Sequence, residues 1–210
     1  QRVITTLVNA LADRGYRISV ITASPAEQDF FTLHERVMRK ILPNKGNSQS
    51  LYGAISSNLS RIRGLRAQIR QIGAPVVLSF IAETNIQVIL ACLGLNVRTV
   101  ISERNDPARQ SLGKAWDFLR KRTYRFADVV TANSHGAIDS LRSFVPNTKL
   151  RYVPNPLLSR PELSVSRSKT ILNVGRFHRQ KAQDVLIKAF AKIATMHPDW
   201  FLALLGEGSL

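Results

Sequence analysis

The sequence predicts an α/β protein with a doubly wound parallel sheet, followed by the beginning of a second unit of the same build. Short β-branched runs such as "YRISVIT", "APVVLSF" and "VRTVIS" alternate with longer segments of helical period. Parallel neighbours need a crossover connection, and a helix between strands supplies it. From Pro154 to Ser168 the chain reads "PNPLLSRPELSVSRS", with three prolines and no sustained period, which marks an interdomain connection. After it the order of strand and helix starts again.

Val3 to Arg14 reads as an amphipathic helix, because Val3, Leu7, Ala10 and Leu11 share one stripe and Gly15 stops it. "YRISVIT" follows as a strand and "ERVMRKIL" as a short one. Residues 48 to 73 read as mostly helical, and "APVVLSF" as a buried strand. A helix from Thr84 to Leu93, the strand "VRTVIS", a helix from Lys114 to Ala127 and the strand "DVVTA" come next. "SHGAIDSLRSF" opens on Ser134 as N-cap, whose hydroxyl can accept from a free amide of the first turn, and runs to Val145-Pro146. "KLRYVPNP" closes a first domain over residues 1 to 153, with 154 to 168 as linker. From residue 169, "KTILNVG" is a strand and Asp184 to Met196 a helix, with Val185, Leu186, Ala189, Phe190, Ile193 and Ala194 on one face. "WFLALLGEG" is a second strand. Two strands and one helix do not bury both faces of a sheet, so residues 169 to 210 are expected to be only the start of the second domain.

With 210 residues, 44% of them hydrophobic, the chain suits one large domain or two modest ones. Its longest apolar run, Ile86 to Val97, includes Gln87, Gly94 and Asn96 and falls short of the roughly 20 residues that span a bilayer. A soluble or peripheral protein is expected, in the cytoplasm or on the inner face of the cell membrane. The single cysteine, Cys92, rules out a disulfide within the chain and suits a reducing compartment. Gln1 stands where a methionine would open a complete chain, and the N-terminus reads as cut. Thirty Lys and Arg against fourteen Asp and Glu give a formal charge of +16, which draws phosphate-rich partners: nucleic acid, anionic lipid or phosphorylated metabolites.

In open parallel sheets ligands bind beyond the carboxyl ends of the strands. Gly175, Arg176 and Lys181, in "NVGRFHRQKAQDVLIKAF", sit at such an end, just before a helix whose free amides and dipole favour an anion. A guanidinium offers a planar fork to phosphate oxygens and a lysine a mobile point charge. On composition alone the same residues read sooner as a solvated basic loop, since basic loop residues are common on a +16 chain. Glu103 and Arg104, in "SERNDP" after "VRTVIS", hold the equivalent position in the first domain. There the alternatives are a substrate contact and a capped turn with Asp106 before proline. Glu83, after "VVLSF", is placed similarly. His34, His135, His178 and His197 have no metal-ligand spacing, and no bound metal is expected. No Walker pattern occurs, and the terminal "GEGSL" is too short to read as a dinucleotide fingerprint.

"NVGRFHRQKAQDVLIKAF", "HPDW", "LLGEG", "VTANSHGAIDSL" and "YVPNP", at this spacing, resemble the retaining glycosyltransferase family 4 with its GT-B fold of two Rossmann-like domains. The resemblance runs over essentially the whole chain. It implies that Arg176 and Lys181 bind the diphosphate of a nucleotide-sugar donor, UDP- or GDP-linked, without a metal or other cofactor. It implies an acceptor met from the N-terminal domain, with Asn155 of Pro154-Asn155-Pro156 near the hinge. The "SERNDP" form resembles the subgroup that builds polysaccharides and lipid-linked oligosaccharides, which makes Glu103 and Arg104 the catalytic candidates. Ala182 stands where the family usually has glycine, and the histidine that many members carry near "ERNDP" has no counterpart. The family's glycine-rich first loop and acidic E-x7-E segment would lie outside residues 1 to 210. The chain resembles an internal fragment, expected to transfer little sugar by itself.

Two segments read as basic amphipathic helices able to lie on anionic membrane: "NLSRIRGLRAQIRQI", with Arg61, Arg63, Arg66 and Arg70 off the apolar stripe, and "KAWDFLRKRTYRFA", with Lys114, Arg120, Lys121, Arg122 and Arg125 among aromatics. The bland alternative is that each stripe packs on the sheet and the arginines are solvated. The rival reading of the whole chain is a non-catalytic anion-binding module for nucleic acid or membrane. Against nucleic acid, the aromatics form no stacking platform and the cations are spread over several elements.

Overall fold

In the computed structural model the described residues are 2–25, 27, 29–42, 51–156 and 168–208. They divide into two compact units, Gln1–Leu158 and Ser159–Leu210. Most of the predicted linker, residues 157–167, lies outside the described residues, as do residues 48–50 of the predicted second helix.

In the first unit, α1 (Arg2–Asp13), β1 (Ser19–Thr22), β2 (Met38–Ile41), α2 (Leu51–Ile72), β3 (Val76–Phe80), α3 (Ala82–Cys92) and β4 (Arg98–Glu103) come first. Then follow α4 (Lys114–Thr123), a 3-10 turn (Tyr124–Phe126), β5 (Val129–Ala132), α5 (His135–Leu141) and β6 (Leu150–Tyr152). β1 pairs with β2, and β3-β4-β5-β6 form a four-stranded sheet in that order. All these pairings are parallel, with Leu78 opposite Val100 and Val100 opposite Val129. Between β3, β4, β5 and β6 each crossover carries a helix, whereas the described residues between β1 and β2 form turns and bends with no α-helix.

The core lies between this sheet and its helices. Ile86 and Ile89 of α3, Ile101 of β4, Val130 of β5 and Leu141 of α5 are almost fully buried together. A second cluster joins Leu65 and Ile69 of α2 to Val88, Ala91 and Cys92 of α3. Burial pushes the Cys92 thiol up to about 11, so it packs as an inert apolar group. Ser134 caps α5 as the sequence predicts, accepting from the Ala137 amide at 3.2 Å.

Several predicted elements differ from the observed ones, among them the helix capped by Ser134, which ends at Leu141 and not at Val145-Pro146. β3 is not a buried strand but the outer strand of its sheet, and Val76 and Leu78 on one face are 50% and 41% exposed. The helix predicted to reach Ala127 stops at Thr123, because Tyr124 turns fully into the core and the Ala127 amide bonds its carbonyl in a tighter turn. The helix predicted over Asp184–Met196 is α6, Gln183–Ala191, followed by hydrogen-bonded turns.

The second unit contains β7 (Thr170–Val174), a 3-10 turn (Arg179–Lys181), α6 and β8 (Phe201–Leu205). β7 and β8 are parallel, with Thr170 opposite Phe201. Among the described residues, no helix is long and apolar enough to cross a membrane.

Candidate active site

Because β3 to β6 all run the same way, their carboxyl ends open on one edge of the sheet, where loops gather. Phe80 ends β3, Glu103 ends β4 with Arg104 next, and Asn155 follows β6. Arg104 is held from several sides. Its guanidinium carbon stands 4.9 Å from the centre of the Phe80 ring, and its Nη1 donates to Asn155 Oδ1 at 2.6 Å. Its Nε is buried and makes no hydrogen bond. Desolvation lowers the Arg104 pKa, yet a guanidinium keeps its proton at any working pH. The result is a fixed, partly dehydrated cation on an aromatic platform, a charge suited to an anion or a sugar oxygen.

Sequence reasoning set Glu103 beside a substrate, and the structure encloses it instead. The residue is 1% exposed, with Oε2 accepting from the Tyr124 hydroxyl at 2.7 Å and Oε1 from the Arg104 amide at 3.1 Å. Tyr124 in turn accepts from Asn85 Nδ2 at 3.3 Å. Asn85 also donates to the Ser102 carbonyl and accepts from Ser79 Oγ at 2.7 Å. Burial raises the Glu103 pKa, while the Tyr124 hydrogen bond, the Arg104 amide and the nearby Arg120 charge oppose the shift. This network ties the ends of β3 and β4 to α3 and to the turn after α4, directly under Arg104. Glu103 thus acts on Arg104 through the backbone that joins them.

Asp106 takes the capped-turn role that the sequence left open. Its Oδ1 accepts from the Ala108 amide at 3.0 Å and from Ser140 Oγ at 2.6 Å, and these bonds hold its carboxyl below the usual range, Ser140 most of all. Glu83 lies in the first turn of α3, also at this edge. Beside it Ile81 has φ 73°, a conformation that a β-branched residue adopts only when its surroundings force it. Sequence reasoning missed Phe80, Ile81, Asn85 and Tyr124. Phe80 and Asn85 carry no local pattern, and Tyr124 comes into place only through tertiary packing.

In the second unit the loop after β7 is built mainly by backbone. The Gly175 amide donates to the Leu205 carbonyl and the Phe177 amide to the Glu207 carbonyl, each at 2.9 Å, extending the β7–β8 ladder into the loop. A Cβ on Gly206 would run into the Gly175 carbonyl, and one on Gly208 into that of Phe177, so "GEG" serves close backbone approach. His178 Nδ1 accepts from the Gln180 amide and starts the turn that carries Lys181. Gln183, fully buried, donates from Nε2 to the Arg176 carbonyl at 2.8 Å and pins the loop from below. Arg176 and Lys181 are both exposed. Between that turn and α6, Ala182 has φ 51°, the left-handed conformation that explains why glycine suits this position. Among the described residues no group of three His, Cys, Asp or Glu is placed to hold a metal ion.

The family model described as Glycosyltransferase Family 4 matches residues 1–157 of this chain. The chain belongs to glycosyltransferase family 4. A second model, Glycosyl transferases group 1, matches residues 156–210, so both units of this family 4 chain are covered. The chain is 28% identical to the GalNAc-alpha-(1->4)-GalNAc-alpha-(1->3)-diNAcBac-PP-undecaprenol alpha-1,4-N-acetyl-D-galactosaminyltransferase of Campylobacter jejuni, over 100% of this chain and 58% of that protein. It is 24% identical to an uncharacterized glycosyltransferase of Haemophilus influenzae, over 99% of this chain and again 58% of the relative. The chain thus spans a little over half the length of these relatives.

Among solved structures the fold resembles the sucrose-phosphate synthase of Thermosynechococcus elongatus, with TM-score 0.72 at 16% identity, over 98% of this chain and 56% of that one. It also resembles a glycosyltransferase from Rickettsia africae, with TM-score 0.59 at 14% identity, over 99% of this chain and 64% of that one. These likenesses make the architecture GT-B, as the motif resemblance implied. The same fold carries a UDP-N-acetylglucosamine 2-epimerase, with TM-score 0.54 at 17% identity over 96% of this chain and 59% of that one. Architecture alone therefore does not select the reaction.

Proposed function

We propose that this family 4 chain serves a glycosyltransferase that moves a sugar from a nucleotide-sugar donor to a hydroxyl of a glycan or lipid-linked acceptor, with retention of configuration. The supporting observation is the loop after β7, where a backbone-fixed turn presents Arg176 and Lys181 immediately before α6. The costly event is cleavage of the bond between the anomeric carbon and the diphosphate oxygen. Negative charge then grows on the departing nucleoside diphosphate, and Arg176 and Lys181 neutralise it, as the N-terminal amides of α6 do. Two cationic side chains take the part that a metal plays in other phosphate chemistry.

On the acceptor side Arg104 is the binding residue and Glu103 its support, with Asn155 anchoring the guanidinium as the chain leaves the first unit. The Campylobacter relative, whose name includes a polyprenol diphosphate, supports a lipid-linked acceptor. An anion there suits Arg104, a guanidinium held on a dehydrated platform.

Calorimetry with UDP and GDP as probes tests the donor site. The chain is expected to bind one of them, and Arg176→Ala and Lys181→Ala each to weaken that binding by about tenfold or more, as loss of a charged hydrogen bond predicts. Undiminished binding by both variants sinks the assignment. Tighter, steeply salt-dependent binding of duplex DNA with no nucleotide selectivity favours the anion-module reading instead.

A further inference from the structure

The two basic helices differ in what their cations do. On α2, Leu65 and Ile69 are buried, and Arg66 donates from Nη1 to the Ala91 and Leu93 carbonyls, both at 2.7 Å, bracing the end of α3. Only Arg63 and Arg70 of its four arginines are exposed, seven positions apart. On α4, Leu119 and Trp116 pack on the core, and Arg120, 3% exposed, pairs with Asp117 at 2.9 Å. What remains outward on the helix is Lys114, Phe118, Lys121 and Arg122, at the spacings that share one face, followed by exposed Arg125 and Phe126 in the 3-10 turn. Phe118 is 57% exposed and Phe126 51%. The Arg122 guanidinium lies 5.1 Å from the Phe118 ring centre and that of Arg125 lies 5.0 Å from Phe126. The helix's single acid, Asp117, is engaged by Arg120, the Ser111 hydroxyl and the Leu112 amide, and of this face its charge reaches Lys121.

We propose that the outer face of α4 and its following turn docks on an anionic lipid surface. Lys114, Lys121, Arg122 and Arg125 meet lipid phosphates, and Phe118 and Phe126 enter the boundary between headgroups and acyl chains. The charge chooses this occupant. A face meant for another protein segment is a contiguous apolar patch, like exposed Val76 and Leu78 on β3, whereas here each ring is flanked by cations. A base-stacking surface offers open ring faces, and here a guanidinium already lies over one face of each ring. The face begins at the same sheet edge as Arg104, since α4 follows β4 and returns to β5. It runs from there to the opposite edge, where β5 starts, and the docking does not depend on the sugar-transfer reading.

Co-sedimentation of the chain with phosphatidylcholine vesicles, with and without phosphatidylglycerol, tests this. Binding is expected only with the anionic lipid. Each cation near the surface contributes about fivefold, the equivalent of about 1 kcal/mol, so Arg122→Gln with Arg125→Gln is expected to weaken it roughly 25-fold. Phe118→Ala with Phe126→Ala is expected to make the remaining binding fully reversible by salt, because insertion is lost and attraction kept. Arg63→Gln with Arg70→Gln is the control on α2, expected to cost less than the α4 pair. Circular dichroism shows that each variant is folded. The proposal is overturned by no binding to anionic vesicles, by equal losses from the two arginine pairs, by preference for duplex DNA over vesicles at the same salt, or by self-association that the phenylalanine pair abolishes.

Discussion

The edge of the first sheet and the loop after β7 put cations at equivalent points of two parallel sheets and hold them by different means. At the first, side chains do the holding: Arg104 lies on Phe80 and bonds Asn155, over a base of Glu103, Tyr124, Asn85 and Ser79. At the second, backbone does it: ladder hydrogen bonds and closely approached glycines fix the loop, and Arg176 and Lys181 project from it exposed. A cation held by side chains is oriented before a ligand arrives and is sensitive to each partner. One held by backbone keeps a hydrated, mobile tip, and its loop is vulnerable wherever a side chain would force the strands apart.

The largest effect expected from that difference is at glycine. Gly206→Ala and Gly208→Ala each press a methyl against a carbonyl of the β7 loop, and overpacking of this kind costs about 3 kcal/mol. Faster amide exchange across the β7–β8 ladder, with β3 to β6 unaffected, is the expected readout. Equal protection in variant and parent would show that the loop is not backbone-held.

Next comes the buried network. Tyr124→Phe removes a hydroxyl from an enclosed carboxyl group and is expected to cost about 2 kcal/mol, measured by urea unfolding. The sign of its pH dependence follows from the shift. Burial raises the Glu103 pKa above its ordinary 4.5, so the native state holds this proton after the unfolded chain has lost it. Stability from this group is intact below 4.5 and falls as pH rises through the folded-state value. Glu103→Gln, which keeps a hydrogen-bonding amide there, is expected to lack that fall. At the other end of β4, Asp128 has the opposite sign. The Thr99 amide and hydroxyl hold its carboxyl below the usual 3.8, so its contribution is present at neutral pH and is lost as pH drops below that value. A urea midpoint that follows pH identically in the parent and Glu103→Gln would break the side-chain half of the comparison.

The smallest effect is a gain. Ala182→Gly relieves a left-handed alanine and is expected to stabilise the second unit by about 1 kcal/mol, read as a rise in its melting temperature. No change there would mean that the loop strain is distributed elsewhere.

The same contrast explains what was legible beforehand. Gly175, Arg176, Lys181 and "GEG" lie in short local stretches with a recognisable pattern, so the loop after β7 could be marked from sequence. The alternation of strands and helices and the Ser134 cap were legible from local pattern too. The base under Arg104 was not, because Ser79, Asn85, Glu103 and Tyr124 meet only through packing, over separations as long as 39 residues. The open face of β3 was hidden by its composition: "VVLSF" is as apolar as a central strand, and only its edge position leaves Val76 and Leu78 exposed.

Several cations in this chain are turned against its own backbone. Besides Arg66 on the end of α3, Lys149 Nζ donates to the Arg125 and Ala127 carbonyls, Arg151 to those of Thr148 and Leu150, and Arg120 to those of Pro107 and Gln110. A formal charge of +16 should make a compact protein strain against itself. Here part of that charge acts as cross-bracing, joining the ends of helices, turns and strands that carry no acidic partner. The cations that an approaching anion can meet are the ones the fold leaves facing outward, among them those on α4, those on the loop after β7, and Arg63 and Arg70 of α2.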